Sequence, residues 1–152
     1  MTSARAWLRG GLWLLALVQA TVGAWQYFAP RLFYADVPTV SADPPFNEHL
    51  MSDVGGLSLA LAAVMAAAAL WLEAAVIRVA LTAYLVYSVS HLLFHVTHLA
   101  GLSARGAAVL LTGLAAEPAA AAALLLLARR ISAPPPGPAG RRSRPADSGK
   151  RA

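Results

Sequence analysis

The chain is expected to be all-α, an integral membrane bundle of four transmembrane helices. Three observations predict this. Hydrophobic residues fill 59% of the 152 positions and charged residues only 12%, at a mean hydropathy of +0.60, too apolar a balance for a soluble domain of this size. The apolar residues gather into four runs, each near the ~20 residues that cross a ~30 Å hydrocarbon core. Within each run the few polar residues recur at helical spacing, on one side.

The first run covers about 7–28, from Trp7 to Phe28. Arg5 and Arg9 ahead of it and the small residues Val22-Gly23-Ala24 imitate a signal peptide, but Trp25, Gln26 and Tyr27 continue it without a mature start, so it reads as an anchor. A loop from Pro30 to Ser52 follows, with Pro38, Pro44-Pro45, Asp36, Asp43 and Glu48; Pro45 suits the first turn of a helix leading through Asn47 to Asp53. The second run covers about 53–73, the third about 76–99 and the fourth about 106–128. Together, 1–131 form one membrane domain. Residues 132–152, SAPPPGPAGRRSRPADSGKRA, have no apolar period and read as a disordered basic cytoplasmic tail.

Charge sets the expected orientation. Arg5, Arg9, Arg78, Arg129, Arg130 and the tail fall on one side, against Arg31 and Arg105 on the other, which predicts both termini in the cytoplasm and a multi-pass protein of the inner or plasma membrane. The net charge of +5 is no nucleic-acid signal, because seven of the twelve Lys and Arg residues lie from Arg129 onward, where a basic tail faces anionic lipid. With no cysteine there is no disulfide, thiolate ligand or cysteine nucleophile.

The polar residues of the runs carry the functional signal. In SVSHLLFHVTHLAGL, His95 lies about 40° and His98 about 20° to either side of His91 around a helix, and Tyr84 and Tyr87 lie within about 40° of it. Ionisable groups in such a run are costly and mark functional sites. Gln19, Gly23 and Gln26 share a face of the first helix; Gly106, Gly113 and Glu117 share one on the fourth, with Glu117 in mid-run. On the second, His49, Asp53, Gly56, Ala60, Ala63 and Ala67 form a small-residue seam suited to close packing. Depth counting arranges these as a funnel, with Glu48, His49, Asp53 and His98 at an outer mouth and His91, Glu117 and Gln19 at its base. Each has a plainer reading. His49 and His98 suit an interface, His91 and His95 can be interhelical hydrogen-bond partners, and Asp53 suits a helix N-terminus. Glu117 is the least easily explained by packing.

The blocks FNEHLMSDVGGLSLALA and SVSHLLFHVTHL resemble small bacterial four-helix membrane proteins of the DoxX-like superfamily. The resemblance covers about 6–130 in layout, and only those two blocks carry it in sequence. It implies a four-helix bundle and, for some relatives, association with membrane-bound redox systems. It points to Asn47, Glu48, His49, Asp53 and Gly55 in the first block and His91, His95 and His98 in the second, though the histidine triplet is not general to that superfamily.

Three functional classes compete. One is a binding or accessory protein whose polar site holds a metal ion on His91, His95 and His98, a haem, or a quinone-like molecule, with Gln19, Glu48, His49, Asp53, Tyr84, Tyr87 and Glu117 around it. Another is a proton-coupled carrier, working as a homo-oligomer. The third is a ligand-free scaffold that docks other membrane proteins. No Gly-Xaa-Ser-Xaa-Gly turn, phosphate loop or nucleic-acid module occurs, and no catalytic residue is assigned.

Overall fold

The computed structural model describes residues 3–37, 39–41 and 45–132 and is all-helical, with no strand among the described residues. Its elements are α1 (Ser3–Phe28), α2 (Pro30–Asp36), α3 (Glu48–Trp71), α4 (Ala74–Thr97) and α5 (Ala104–Ser132). Pro38, Asp43, Pro44 and the basic tail from Ala133 onward lie outside the described residues.

Local chemistry sets the boundaries. Helix α1 stops at Ala29, whose φ of −141° and ψ of 55° leave the helical region, and Pro30 opens α2 where a missing N–H costs nothing. The bend between the two is 112°. So the expected loop contains a short helix, which its seven residues were too few to announce. Helix α3 begins at Glu48, ahead of the apolar run at about Asp53 and inside the helix expected to lead into it from Pro45. Asn47 is its N-cap, its Oδ1 accepting from Leu50 N at 3.0 Å, and Pro45 stays outside the helix. Leu72, left-handed at φ 54°, turns the chain from α3 into α4. At the start of α5, Ser103 Oγ accepts from Gly106 N at 3.1 Å.

Helices α3, α4 and α5 are each long and apolar enough to cross a bilayer, which marks the chain as a helical membrane protein. Helix α1 reaches that standard only when counted with α2 as one bent pair, because Arg9, Gln19 and its glycines dilute its apolar run.

Helix α1 packs most closely on α3, and α4 on α5; α3–α4 and α1–α5 contacts close a ring whose diagonals have no backbone contact. Towards the Leu72 turn, here called the base, the core is apolar: Leu8, Leu12 and Leu15 of α1, Met65 and Ala68 of α3, Ile77, Ala80 and Leu81 of α4, and Ala121 and Ala128 of α5. At the other end, capped by α2, the buried positions change character to Gln19, Gly23, Gly55, Ser58 and Ser88, with Phe33 of α2.

Helices α1 and α3 meet through glycine. A Cβ on Gly55 would stand 2.6 Å from Tyr27 N and 2.9 Å from Gly23 O; one on Gly23 would stand 2.8 Å from Ser58 Cβ. Close approach therefore uses Gly55, Ser58 and Ala62, and the expected seam is corrected by one residue. Gly56 has only the Tyr27 ring near it, at 3.8 Å, while Ala60 and Ala63 are exposed. Small residues occur on every side of α3, so spacing alone did not select the side that meets α1.

Candidate functional site

Three helices contribute to a polar cluster midway along the bundle. Gln19 of α1, buried, donates from Nε2 to Tyr84 Oη at 3.4 Å, across the diagonal of the ring. Tyr84 of α4, completely buried, donates to Glu117 Oε2 of α5 at 3.2 Å. Ser88 Oγ, one turn on, donates to Tyr84 O at 2.8 Å and so holds that turn of α4. Glu117 makes no ion pair among the described residues. The fully buried tyrosine thus joins two groups that lie far apart in sequence.

From Tyr84 a ladder of rings climbs α4 toward the cap. Tyr84 and Tyr87 are 6.3 Å apart between centroids, Tyr87 stacks on His91 at 5.7 Å, and His91 meets His95 edge-on at 4.8 Å. The Tyr87 hydroxyl lies beside Ser58 and Gln19. Ser58 Oγ, Gln19 Oε1 and Gln26 Oε1 are buried with no hydrogen-bond partner among the described residues, against the rule that buried polar atoms are paired.

The ladder ends at a cavity of about 420 Å³. Leu50, Met51 and Val54 of α3, Phe94 of α4 and Phe33 of α2 give it apolar walls; Gln26, His91 and His95 bring polar atoms to it. Helix α2 covers one side. Its Phe33 packs edge-on against Trp25 at 5.3 Å, its Tyr34 against Phe46 at 5.4 Å, and its Arg31 lies over the Phe46 ring at 5.1 Å. Arg31 also pairs with Glu48 Oε2 at 2.9 Å, tying α2 to the first turn of α3. An apolar chamber of this size with a few convergent polar groups has the make-up of a small-molecule site.

The outer mouth of the expected funnel is not a site of this kind. Glu48 is held by Arg31, and His49 Nε2 stands 3.4 Å from Asp53 Oδ2, one helical turn on, with all four side chains exposed. His98 is likewise parted from the other two histidines. Helix α4 ends at Thr97, and at His98, with φ −127° and ψ 64°, the 100° step no longer holds. Its ring stacks on Phe94 at 4.1 Å, and its Nδ1 lies 2.8 Å from Phe94 O. Among the described residues no group of three His, Asp or Glu side chains is placed to hold a metal ion.

Gln19, Tyr84, Tyr87, Glu117, His91 and His95 therefore form one continuous polar line, whereas Glu48, His49, Asp53 and His98 form separate surface pairs. Ser58 and Gln26 join the line without having been singled out as site residues. Gln26 shares a face with Gln19, a spacing that signalled it. Ser58 had no such signal, because a serine in an alanine-rich helix reads as another small residue. No family model, curated protein or solved structure matches this chain.

Proposed function

We propose that the protein is a four-span membrane protein, with both termini cytoplasmic, that binds a small carbonyl-bearing apolar molecule of the quinone type beneath α2. In this reading α1 crosses the bilayer and α2 lies along its outer surface after the bend. The orientation follows from the arginines, since Arg5, Arg9, Arg78, Arg129 and Arg130 gather at the base and Arg31 and Arg105 at the cap. The layout agrees with the resemblance to the DoxX-like superfamily and with a role beside membrane redox systems.

One observation carries the ligand class, the cavity of about 420 Å³ with His91, His95 and Gln26 on otherwise apolar walls. A quinone ring needs a flat apolar space and donors for its carbonyl oxygens, and imidazole N–H and amide N–H groups supply them. The competing ligands fit less well. A metal ion needs a third donor beside His91 and His95, which the described residues do not bring. Two imidazoles from successive turns of one helix point the same way, so they do not take opposite faces of a haem iron.

The test is a titration of the full chain in lipid nanodiscs with a short-chain benzoquinone, followed by tryptophan fluorescence, since Trp25 packs on the cavity residue Phe33. Saturable quenching is expected, weakened about tenfold by His91→Leu, or roughly 1.4 kcal/mol. Quenching that stays linear in quinone and ignores His91→Leu overturns the reading.

A further inference from the structure

Glu117 is the one carboxyl in the interior line of the bundle, and quinone binding in the cavity does not use it. Its connections point to a second activity. We propose that Gln19, Ser58, Tyr87 and Gln26 hold a short file of ordered water that exchanges protons between the cavity and Glu117.

Continuity along the bundle carries the proposal. Glu117 Oε2 accepts from Tyr84 Oη at 3.2 Å, and Tyr84 Oη accepts from Gln19 at 3.4 Å. Gln19 and Ser58 flank the Tyr87 hydroxyl. Ser58 sits against Gly23, which lies between Gln19 and Gln26 on the same face of α1, and the missing side chain at Gly23 lets α3 bring Ser58 up to that face. Gln26 lines the cavity. Along this path three buried oxygens, Gln19 Oε1, Ser58 Oγ and Gln26 Oε1, lack protein partners. An unmet hydrogen bond in a dry interior costs about 1–3 kcal/mol, and three on one path are met together by bridging water.

The step balances with no co-reactant. A proton entering at the cavity passes from water to water and through the Tyr87 and Tyr84 hydroxyls, each oxygen giving one O–H proton forward as it takes one from behind. The last hop forms the Glu117 O–H bond, and release runs in reverse. The titratable groups facing Glu117 are Tyr84 and Tyr87 of α4; α1 presents the neutral Gln19. The path deepens the ligand-binding reading, on which its use rests, because the cavity is where a bound molecule would take or give the proton. Exchange itself needs no ligand.

Infrared spectroscopy of the full chain in nanodiscs tests it. The carboxyl band lost in Glu117→Gln identifies the group; Glu117→Asp, which keeps a carboxyl and moves the band, serves if the glutamine variant does not fold. On transfer from H2O to D2O the band is expected to shift within the mixing time. Tyr87→Phe and Ser58→Ala, which each remove one hydroxyl and add no bulk, should slow the shift about tenfold, equivalent to roughly 1.4 kcal/mol. Gly113→Ala, on the exposed side of α5, should leave it unchanged. A band that does not exchange, or exchanges equally fast in both hydroxyl variants, overturns the path. Quinone binding with no exchange sinks the path and spares the cavity, whereas exchange without quinone binding does the reverse.

Discussion

The two ends of the bundle solve burial differently. At the base, alanines of α3, α4 and α5 let Leu8, Leu12, Leu15 and Leu81 interdigitate, and every core residue is apolar up to Tyr84. At the cap α1, α3 and α4 bury glycine, serine and glutamine, and the space between them becomes a cavity roofed by α2. Lipid tails are as apolar as leucine, so within a bilayer helices gain little from hiding leucine and much from dense packing or hydrogen bonds. The base takes the first route. The cap takes the second, and leaves part of it unfinished in the form of unpaired oxygens.

That contrast breaks first at Gly55. Gly55→Leu drives a side chain into the backbone of Tyr27 and Gly23, where no flexible tip can yield. A loss of about 3 kcal/mol is expected, the upper range for overpacking, read as a lowered thermal midpoint in detergent. A neutral outcome would mean that α1 and α3 are held at the base alone. Leu12→Ala tests the base directly. Leu12 is fully buried, and its loss should cost about 2 kcal/mol, the low end for such a cavity because lipid removes the transfer component. Quinone quenching at the cap should survive in the fraction that stays folded.

Two smaller effects sharpen the comparison. Gly113, in the cap-side half of α5, meets nothing within 4 Å, so Gly113→Ala should stabilise by about 0.5–1 kcal/mol through helix propensity. A destabilisation would show that a partner packs on that face. Tyr84→Phe removes the hydroxyl joining Gln19 to Glu117 while keeping the ring in the core, and should cost only about 0.6 kcal/mol, as intramembrane hydrogen bonds usually do. A loss above that of Leu12→Ala would mean that the polar line, not the apolar base, holds the helices together.

How legible each end was in the sequence follows from the same difference. Apolar runs announced all four long helices, and the face of α1 carrying Gln19, Gly23 and Gln26 stood out because its other faces bear Leu, Val and Trp. Helix α3 lacks that contrast. Gly55 and Gly56 are adjacent, alanine surrounds them, and a shift of one residue turns the chosen face by 100°. His98 failed for another reason, since extrapolating the helix past Thr97 placed it beside His91 when the backbone had already left helical geometry. The convergence of Gln19 and Glu117 was readable as polar faces at similar depth. Depth counting put His91 beside them, whereas Tyr84, two turns nearer the base, is what joins them and His91 lines the cavity. Which atoms touch depends on helix rotation, which no single run encodes.

The strap across α2 carries a consequence for salt dependence. Arg31 and Glu48 are 76% and 57% exposed, and an ion pair so wet contributes at most about 1 kcal/mol, falling as salt screens it. The roof then rests mostly on aromatic packing, with Phe33 buried against Trp25 and Phe46 between Tyr34 and Arg31. A closure with so small an electrostatic share responds only weakly to ionic strength. Raising the salt concentration should therefore loosen α2 by no more than about 1 kcal/mol, leaving its aromatic contacts to set how firmly it stays in place.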